Sequence, residues 1–254
     1  MSSYLSELPT IDCHSHVSTE LDGDDLRALR GSVVFAVTRS LAEGRAALAR
    51  NDAGIVWGCG VHPRAERALK DFTPEDFMST VGDAALIGEI GLDSRGDSDL
   101  QSRVFDAILI AIQPSPRLVS IHSTGRVAEV IDALTRYPAR GMILHWFSGT
   151  QSETRRAFDL GCYFSVNAAM TDAQLKCLPM QRVLTETDFP LRSRRASVDR
   201  PGDTEEVERR LAPLWGLSPE SVRVQIGRNL KTLCMNTGAI EILPEDEADT
   251  LLSL

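Results

Sequence analysis

The sequence predicts an α/β chain folded as a TIM (β/α)8 barrel. Short apolar, β-branched runs alternate with helical patterns eight times, the repeat that parallel sheets require. The length of 254 residues fits one large barrel of this kind. The phosphate-cradling G-x-G-x-x-G and G-x-x-x-x-G-K-[ST] signatures are absent, which weakens the open, doubly wound sheet as the alternative. Periodicity alone does not close a barrel.

In chain order, strands are expected at 10–13, 32–37, 55–59, 85–88, 118–121, 141–144, 162–166 and 182–185. Helical patterns fall at 41–50, 74–81, 100–112, 126–137, 151–160 and 204–215. The first crossover, 22–30, is short, and the seventh, 171–177, is barely two turns. A last helix, 219–234, follows Ser218, an N-cap residue placed ahead of Pro219 at the first helical position. One domain spans 1–254, with a core at about 9–234 and a C-terminal tail at about 235–254. The polar, arginine-rich stretch 192–203 follows the eighth strand and reads as a long loop on the barrel's C-terminal face.

Composition narrows the function. A hydrophobic content of 43% supports a sizeable core, and the net charge of -9 argues against broad, sequence-independent tracking of phosphates. A nucleic-acid enzyme whose ions neutralise phosphate locally survives that filter. Lysine occurs only as Lys70, Lys176 and Lys231; the other basic residues are arginines. The cysteines, five in number, never form a C-x-x-C pair and read as buried thiols of a reducing compartment. The N-terminal stretch lacks a basic start with an apolar core, and no apolar run is long enough to span a membrane. A cytoplasmic location is therefore expected.

The histidines carry the chemistry. His14, His16, His62, His122 and His145 all sit at the carboxyl ends of expected strands, in I-D-C-H-S-H, W-G-C-G-V-H-P, L-V-S-I-H-S and M-I-L-H-W-F. In a barrel, those ends converge over one mouth. His14 and His16 are spaced i, i+2, so strand alternation turns both to one face, which Asp12 shares. Glu89, in I-G-E-I-G-L-D, ends the fourth strand between glycines that allow close approach. Glu186 and Asp188, in L-T-E-T-D-F-P, end the eighth. Four histidines with two or three carboxylates exceed the needs of one tetrahedral ion. The set suits two divalent ions bridged by a carboxylate, with a hydroxide between them.

Taken in order, D-C-H-S-H, G-V-H-P, I-G-E-I-G-L-D, I-H-S, H-W-F-S-G and E-T-D-F-P resemble the signature of the TatD family of metal-dependent nucleases, amidohydrolase-like TIM barrels. The match runs from about residue 9 to residue 233. The resemblance implies that His14, His16, Glu89 and Asp188 bind one metal, and Glu89, His122 and His145 a second. It places His62 at the phosphate or leaving group, Glu186 as a supporting or basic residue, and Asp93 as an orienting one. Asn229 matches an asparagine of the family's terminal helix, with a packing role. Trp146 and Phe147 read first as core and turn, second as stacking surfaces for substrate.

This chain departs from the family where substrate is held. Thr124 stands where an arginine usually follows I-H-S, the usual basic segment after the eighth strand is replaced by R-S-R-R-A-S, and 109–116 interrupts a helix end. Such short, divergent members resemble the TatD-like component of a bacterial anti-phage cassette (the QatD group), which would bring protein partners from that cassette. The expected reaction is hydrolysis of a phosphodiester, most simply exonucleolytic at a DNA end, with Asp188 accepting the proton of the attacking hydroxide. Arg192, Arg194, Arg195 and Arg200 either hold neighbouring phosphates or form a solvated loop. Imidazole and carboxylate ligands favour Zn²⁺ or Mn²⁺, and the resemblance also admits Mg²⁺. The alternatives are an amidase or lactonase of the amidohydrolase superfamily, and a metal-binding scaffold subunit.

Overall fold

The structure, a computed structural model, describes residues 8–113, 115 and 117–253. The first seven residues, and the two prolines of the interrupted stretch 109–116, lie outside the described residues.

Eight strands form one sheet in the order of the chain: β1 (Thr10–Ser15), β2 (Ser32–Ala36), β3 (Ile55–Cys59), β4 (Leu86–Gly91), β5 (Leu118–His122), β6 (Met142–Leu144), β7 (Tyr163–Val166) and β8 (Val183–Thr185). Every ladder from β1–β2 to β7–β8 is parallel. The sheet curls until β8 meets β1. There the Thr185 hydroxyl donates to Ile11 O at 2.5 Å, Asp188 N to His14 O at 3.0 Å, and His16 N to Phe189 O at 2.9 Å. The expected barrel is the observed fold.

The helices are α1 (Gly23–Ala28), α2 (Leu41–Leu48), α3 (Glu66–Lys70), α4 (Pro74–Val81), α5 (Ser98–Ile112), α6 (Val127–Arg136), α7 (Gln151–Asp159), α8 (Asp172–Lys176), α9 (Glu205–Trp215), α10 (Pro219–Thr237) and α11 (Glu245–Leu252). Their starts follow local chemistry. Side-chain oxygens of Ser40, Thr73, Thr150, Thr171 and Ser218 accept the otherwise orphaned N–H groups of α2, α4, α7, α8 and α10. On α6, Val127, Val130, Ile131 and Leu134 make a buried stripe at helical spacing that seals against the core. Asn229 on α10 donates to Met180 O and Val183 O, both at 2.7 Å, which ties the last long helix to the start of β8.

The stretch expected as a tail is structured. Leu251 of α11 is fully buried, and the Glu247 carboxylate accepts from Gly54 N at 2.7 Å, just before β3. Four of the five cysteines are buried, and Cys177 is exposed. Among the described residues, no helix is long and apolar enough to cross a membrane.

Two ladders slip in register, β1–β2 between Asp12 and Ser15 and β4–β5 between Ile87 and Ile90. Each slip brackets a residue of the candidate site, His14 and Glu89. Such irregularities re-aim side chains at a strand end.

Candidate metal centre

The C-terminal ends of β1, β3, β4, β5, β6 and β8 bring the histidines and acids of the sequence to one mouth. Glycines make the close approach possible. A Cβ on Gly60 would sit 2.4 Å from the backbone at Gly88, and one on Gly91 would sit 2.1 Å from His122 O; neither position admits a side chain.

Glu89, 1% exposed, is the hub. Its Oε2 faces His16 Nε2 at 3.1 Å, His62 Nε2 at 3.4 Å and His14 Nε2 at 3.6 Å. Its Oε1 faces His122 Nδ1 at 2.6 Å and His145 Nε2 at 3.1 Å. The two oxygens thus divide the imidazoles into two groups. Asp188 approaches from β8, with Oδ1 3.6 Å from His14 Nε2. Ligand atoms gather in three overlapping clusters: His14, His145 and Asp188; His14, His16 and Glu89; and His62, Glu89 and His122.

Outer hydrogen bonds decide which ring nitrogen is available to a cation. His14 Nδ1 lies 2.7 Å from Ser120 Oγ; donation there leaves the Nε2 lone pair turned inward. His122 Nε2 lies 2.9 Å from Asp93 Oδ2, which leaves Nδ1 turned inward. Asp93 is held in turn by Arg95 Nε and Nη2, at 3.1 and 3.2 Å. His62 is different. Its Nδ1 accepts the backbone N–H of Arg64 at 2.9 Å, so in the neutral ring the proton sits on Nε2, which points at Glu89 as a donor. A nitrogen carrying a proton cannot also bind a cation, so His62 is the member of the third cluster that does not fit as a ligand.

Glu186 sits behind His145 rather than among the inward-facing atoms. It accepts from Trp146 N at 3.1 Å, from Asn167 Nδ2 at 2.8 Å and from the Ser165 hydroxyl. Its Oε1 is 3.6 Å from His145 Nδ1, which places it to orient that ring. Asp12 belongs to none of the clusters. Its fully buried carboxylate turns toward β8 and accepts from Thr187 N at 2.8 Å, Thr187 Oγ1 at 2.6 Å, Gly202 N at 2.8 Å and His14 N at 3.3 Å.

The site's electrostatics are set by burial and by the mutual pull of imidazoles and carboxylates. Burial pulls His14 well below the ordinary imidazole value, and His62 down to about 4. Burial would raise Glu89, but His145, His122 and His14 hold it well below the usual carboxylate range. His145 goes the other way: burial would lower it, yet Glu186 and Glu89 carry it well above its ordinary value. Burial pushes Asp188 up to about 6, against the pull of His145. His14 Nε2, Glu89 Oε2 and the Nδ1 atoms of His16 and His145 are buried without a hydrogen-bond partner. Unpaired polar atoms in this density are costly, and divalent cations would pair the inward-facing ones. The donor set fits.

A model of the TatD-related DNase family matches residues 11–235. This chain belongs to that family. Relatives include the 3'-5' ssDNA/RNA exonuclease TatD of Cronobacter sakazakii, 27% identical over 189 residues, 68% of this chain and 70% of that protein. The uncharacterized metal-dependent hydrolase YcfH of Escherichia coli K12 is 25% identical over 183 residues, 66% of this chain and 69% of that one. The crystal structure of YjjV, a TatD homologue from Escherichia coli K12, superposes with a TM-score of 0.74 at 23% identity, covering 88% of this chain and 97% of its own. The shared fold of this TatD-family chain is thus the barrel described above.

The arginines that line the mouth are not all those singled out from the sequence. Arg192 lines the mouth, but its Nη1 bonds Ser197 Oγ, Val198 O and Asp199 Oδ1 at 2.5, 2.6 and 3.2 Å, folding its own loop. Arg194 and Arg195 are exposed on that loop and line neither mouth pocket, while Arg200 bonds Ala28 O. Trp146 lines the mouth and Phe147 is buried. Sequence reasoning passed over Arg39, Arg64 and Arg95, which all reach the mouth. Their only sequence signal is position, each a few residues past the C-terminal end of a barrel strand.

Proposed function

We propose that this TatD-family chain is a metal-dependent phosphodiesterase that degrades DNA from an end. The family supports the reaction class, and the activities by which relatives are named, a 3'-5' ssDNA/RNA exonuclease and a deoxyribonuclease, support the substrate. The observation that carries the reading is Glu89, whose two oxygens serve two separate groups of imidazoles. His14, His16, Glu89 and Asp188 would hold one divalent ion, and Glu89, His122 and His145 a second, as Zn²⁺, Mn²⁺ or Mg²⁺. Bound there, such ions activate water and neutralise charge developing on phosphorus.

The chain's own groups do the rest. Asp188 is held at φ 51°, a left-handed conformation that aspartate tolerates better than most residues; it aims the carboxylate into the mouth, where a proton can be accepted near neutral pH. The Nε2–H of His62 can donate to a phosphoryl or leaving oxygen. Trp146, at φ 40°, offers an aromatic face to a base. No lysine is available as a carboxylated bridge of the kind expected in an amidase or lactonase, since Lys70, Lys176 and Lys231 all lie on helices. The proposal includes cytoplasmic protein partners of an anti-phage cassette, which the neighbouring open reading frames test.

The decisive experiment is turnover by the metal-reconstituted protein on single- and double-stranded DNA, RNA, p-nitrophenyl esters, amides and lactones. Shortening of end-labelled DNA is expected; hydrolysis confined to amides or lactones overturns the reading. Metal loading should also release protons. His145, held protonated by two acids, must lose its proton to bind a cation, and below about pH 6 so must Asp188. Apparent metal affinity therefore falls as pH falls. Calorimetry in buffers of different ionisation enthalpy should find more protons released on metal binding at pH 5.5 than at pH 7.5.

A further inference from the structure

The mouth is a cleft of two unlike lobes that share His16, His62, Arg64 and Asp188. One lobe, about 400 Å³, continues over Glu89 and His122 to Trp146, Ser148 and Thr124. Beyond the shared Arg64, its arginine is Arg95, which three hydrogen bonds hold against Asp93, so its far walls offer an aromatic ring and hydroxyls. The other lobe, about 460 Å³, is walled by Arg39, Arg64 and Arg192.

These arginines are not scattered surface charges. Arg39 O accepts the backbone N–H of His62 at 3.1 Å, and Arg64 N donates to the His62 ring. Two arginines are thus fixed by backbone bonds on either side of the residue that faces the reacting phosphate. Among the described residues, the Arg64 guanidinium makes no hydrogen bond or ion pair, and Arg39 has only the loose Glu43 contact at 3.7 Å. An unpaired guanidinium beside a cleft wall is a ready partner for a phosphate dianion or diester.

We propose that the Arg39–Arg64 lobe is a subsite for a second phosphate, one nucleoside away from the scissile diester, while the Trp146 lobe takes the nucleoside on the opposite side. This deepens, and rests on, the phosphodiesterase reading. It makes the substrate a strand with consecutive phosphates, rather than an isolated diester, and it makes Arg39 and Arg64 specificity-determining residues. Charge recognition of this kind is sequence-independent, as suits an enzyme that consumes a strand from its end.

The test compares kcat/KM for the thymidine dinucleotide TpT with that for pTpT and TpTp, which carry the extra phosphate on one side or the other. In the wild type, one of the two phosphorylated dinucleotides should exceed TpT by about tenfold or more, chiefly through KM, as one charge-assisted contact warrants. Which of them gains identifies the strand polarity. In Arg39→Ala/Arg64→Ala the ratio should collapse to near one, whereas Arg67→Ala, an exposed neighbour on α3, should keep it. Cleavage of all three at one rate by the wild type, or a ratio that persists in the double variant, overturns the proposal alone. No cleavage of any of them, or of DNA, overturns the phosphodiesterase reading and the proposal with it.

Discussion

Glu89→Gln is expected to abolish turnover while leaving the barrel folded. The substitution keeps the shape of the side chain but removes the charge that His122, His145, His16, His62 and His14 all surround. An amide presents one weakly basic oxygen and one NH2, so it cannot serve both groups of imidazoles at once. Residues that only orient metal ligands already cost about 10–100-fold in affinity or activity when replaced; a carboxylate placed, as proposed, between two ions would cost more, about 1,000-fold or beyond in kcat. Metal content by mass spectrometry and turnover, measured with a circular dichroism control, check it. Full activity with a full metal complement would sink the bridging role.

Asp12→Ala should produce a large loss of stability. Two backbone N–H groups, the Thr187 hydroxyl and the amide of His14 lose a common acceptor in a fully buried place. Orphaned buried donors cost about 1–3 kcal/mol each, partly recovered by relaxation, so about 2–4 kcal/mol is expected in urea unfolding of the metal-free protein. The pH dependence has a definite sign. Burial raises the Asp12 carboxyl to about 7, far above its unfolded value, so the folded state holds the proton more tightly. Its contribution is greatest at low pH and declines as pH rises from about 4 to about 7. Asp12→Asn, which never ionises, should remove that decline. A decline of equal size in the variant would show that other groups cause it.

All eight strands were legible because apolar runs between turn residues are what buried parallel strands require. Three of them continue past the sequence expectation, β1 to Ser15, β4 to Gly91 and β5 to His122. In each, polar site residues interrupt the apolar pattern while the backbone goes on pairing. For the same reason the site was legible: a histidine or acid closing an apolar run is out of character for a core strand. Asp12 misled, since alternation alone puts it beside His14 and His16. The register slip between Asp12 and Ser15 breaks that parity, and no residue type announces such a slip. The arginines of the rim were the hardest part. A single charge in a loop has no period, so Arg64 in G-V-H-P-R looked no different from Arg194, although only Arg64 reaches the cleft. Helices α3 and α11 escaped because five- and eight-residue charged segments carry too little apolar spacing to stand out.

The seam between the first and last strands has a further meaning for the life of the chain. His14 arrives on β1, His16 just past it and Asp188 just after β8, and the Asp12–Thr187 tether between them spans 175 residues. During synthesis these two histidines leave the ribosome long before Asp188, which would complete the proposed set. Ions that bound only the finished arrangement would stabilise it by mass action and would give nothing to a chain that had not yet closed. Were ions held as proposed, their loading would favour chains in which the end of β8 has closed on β1 over chains in which it has not.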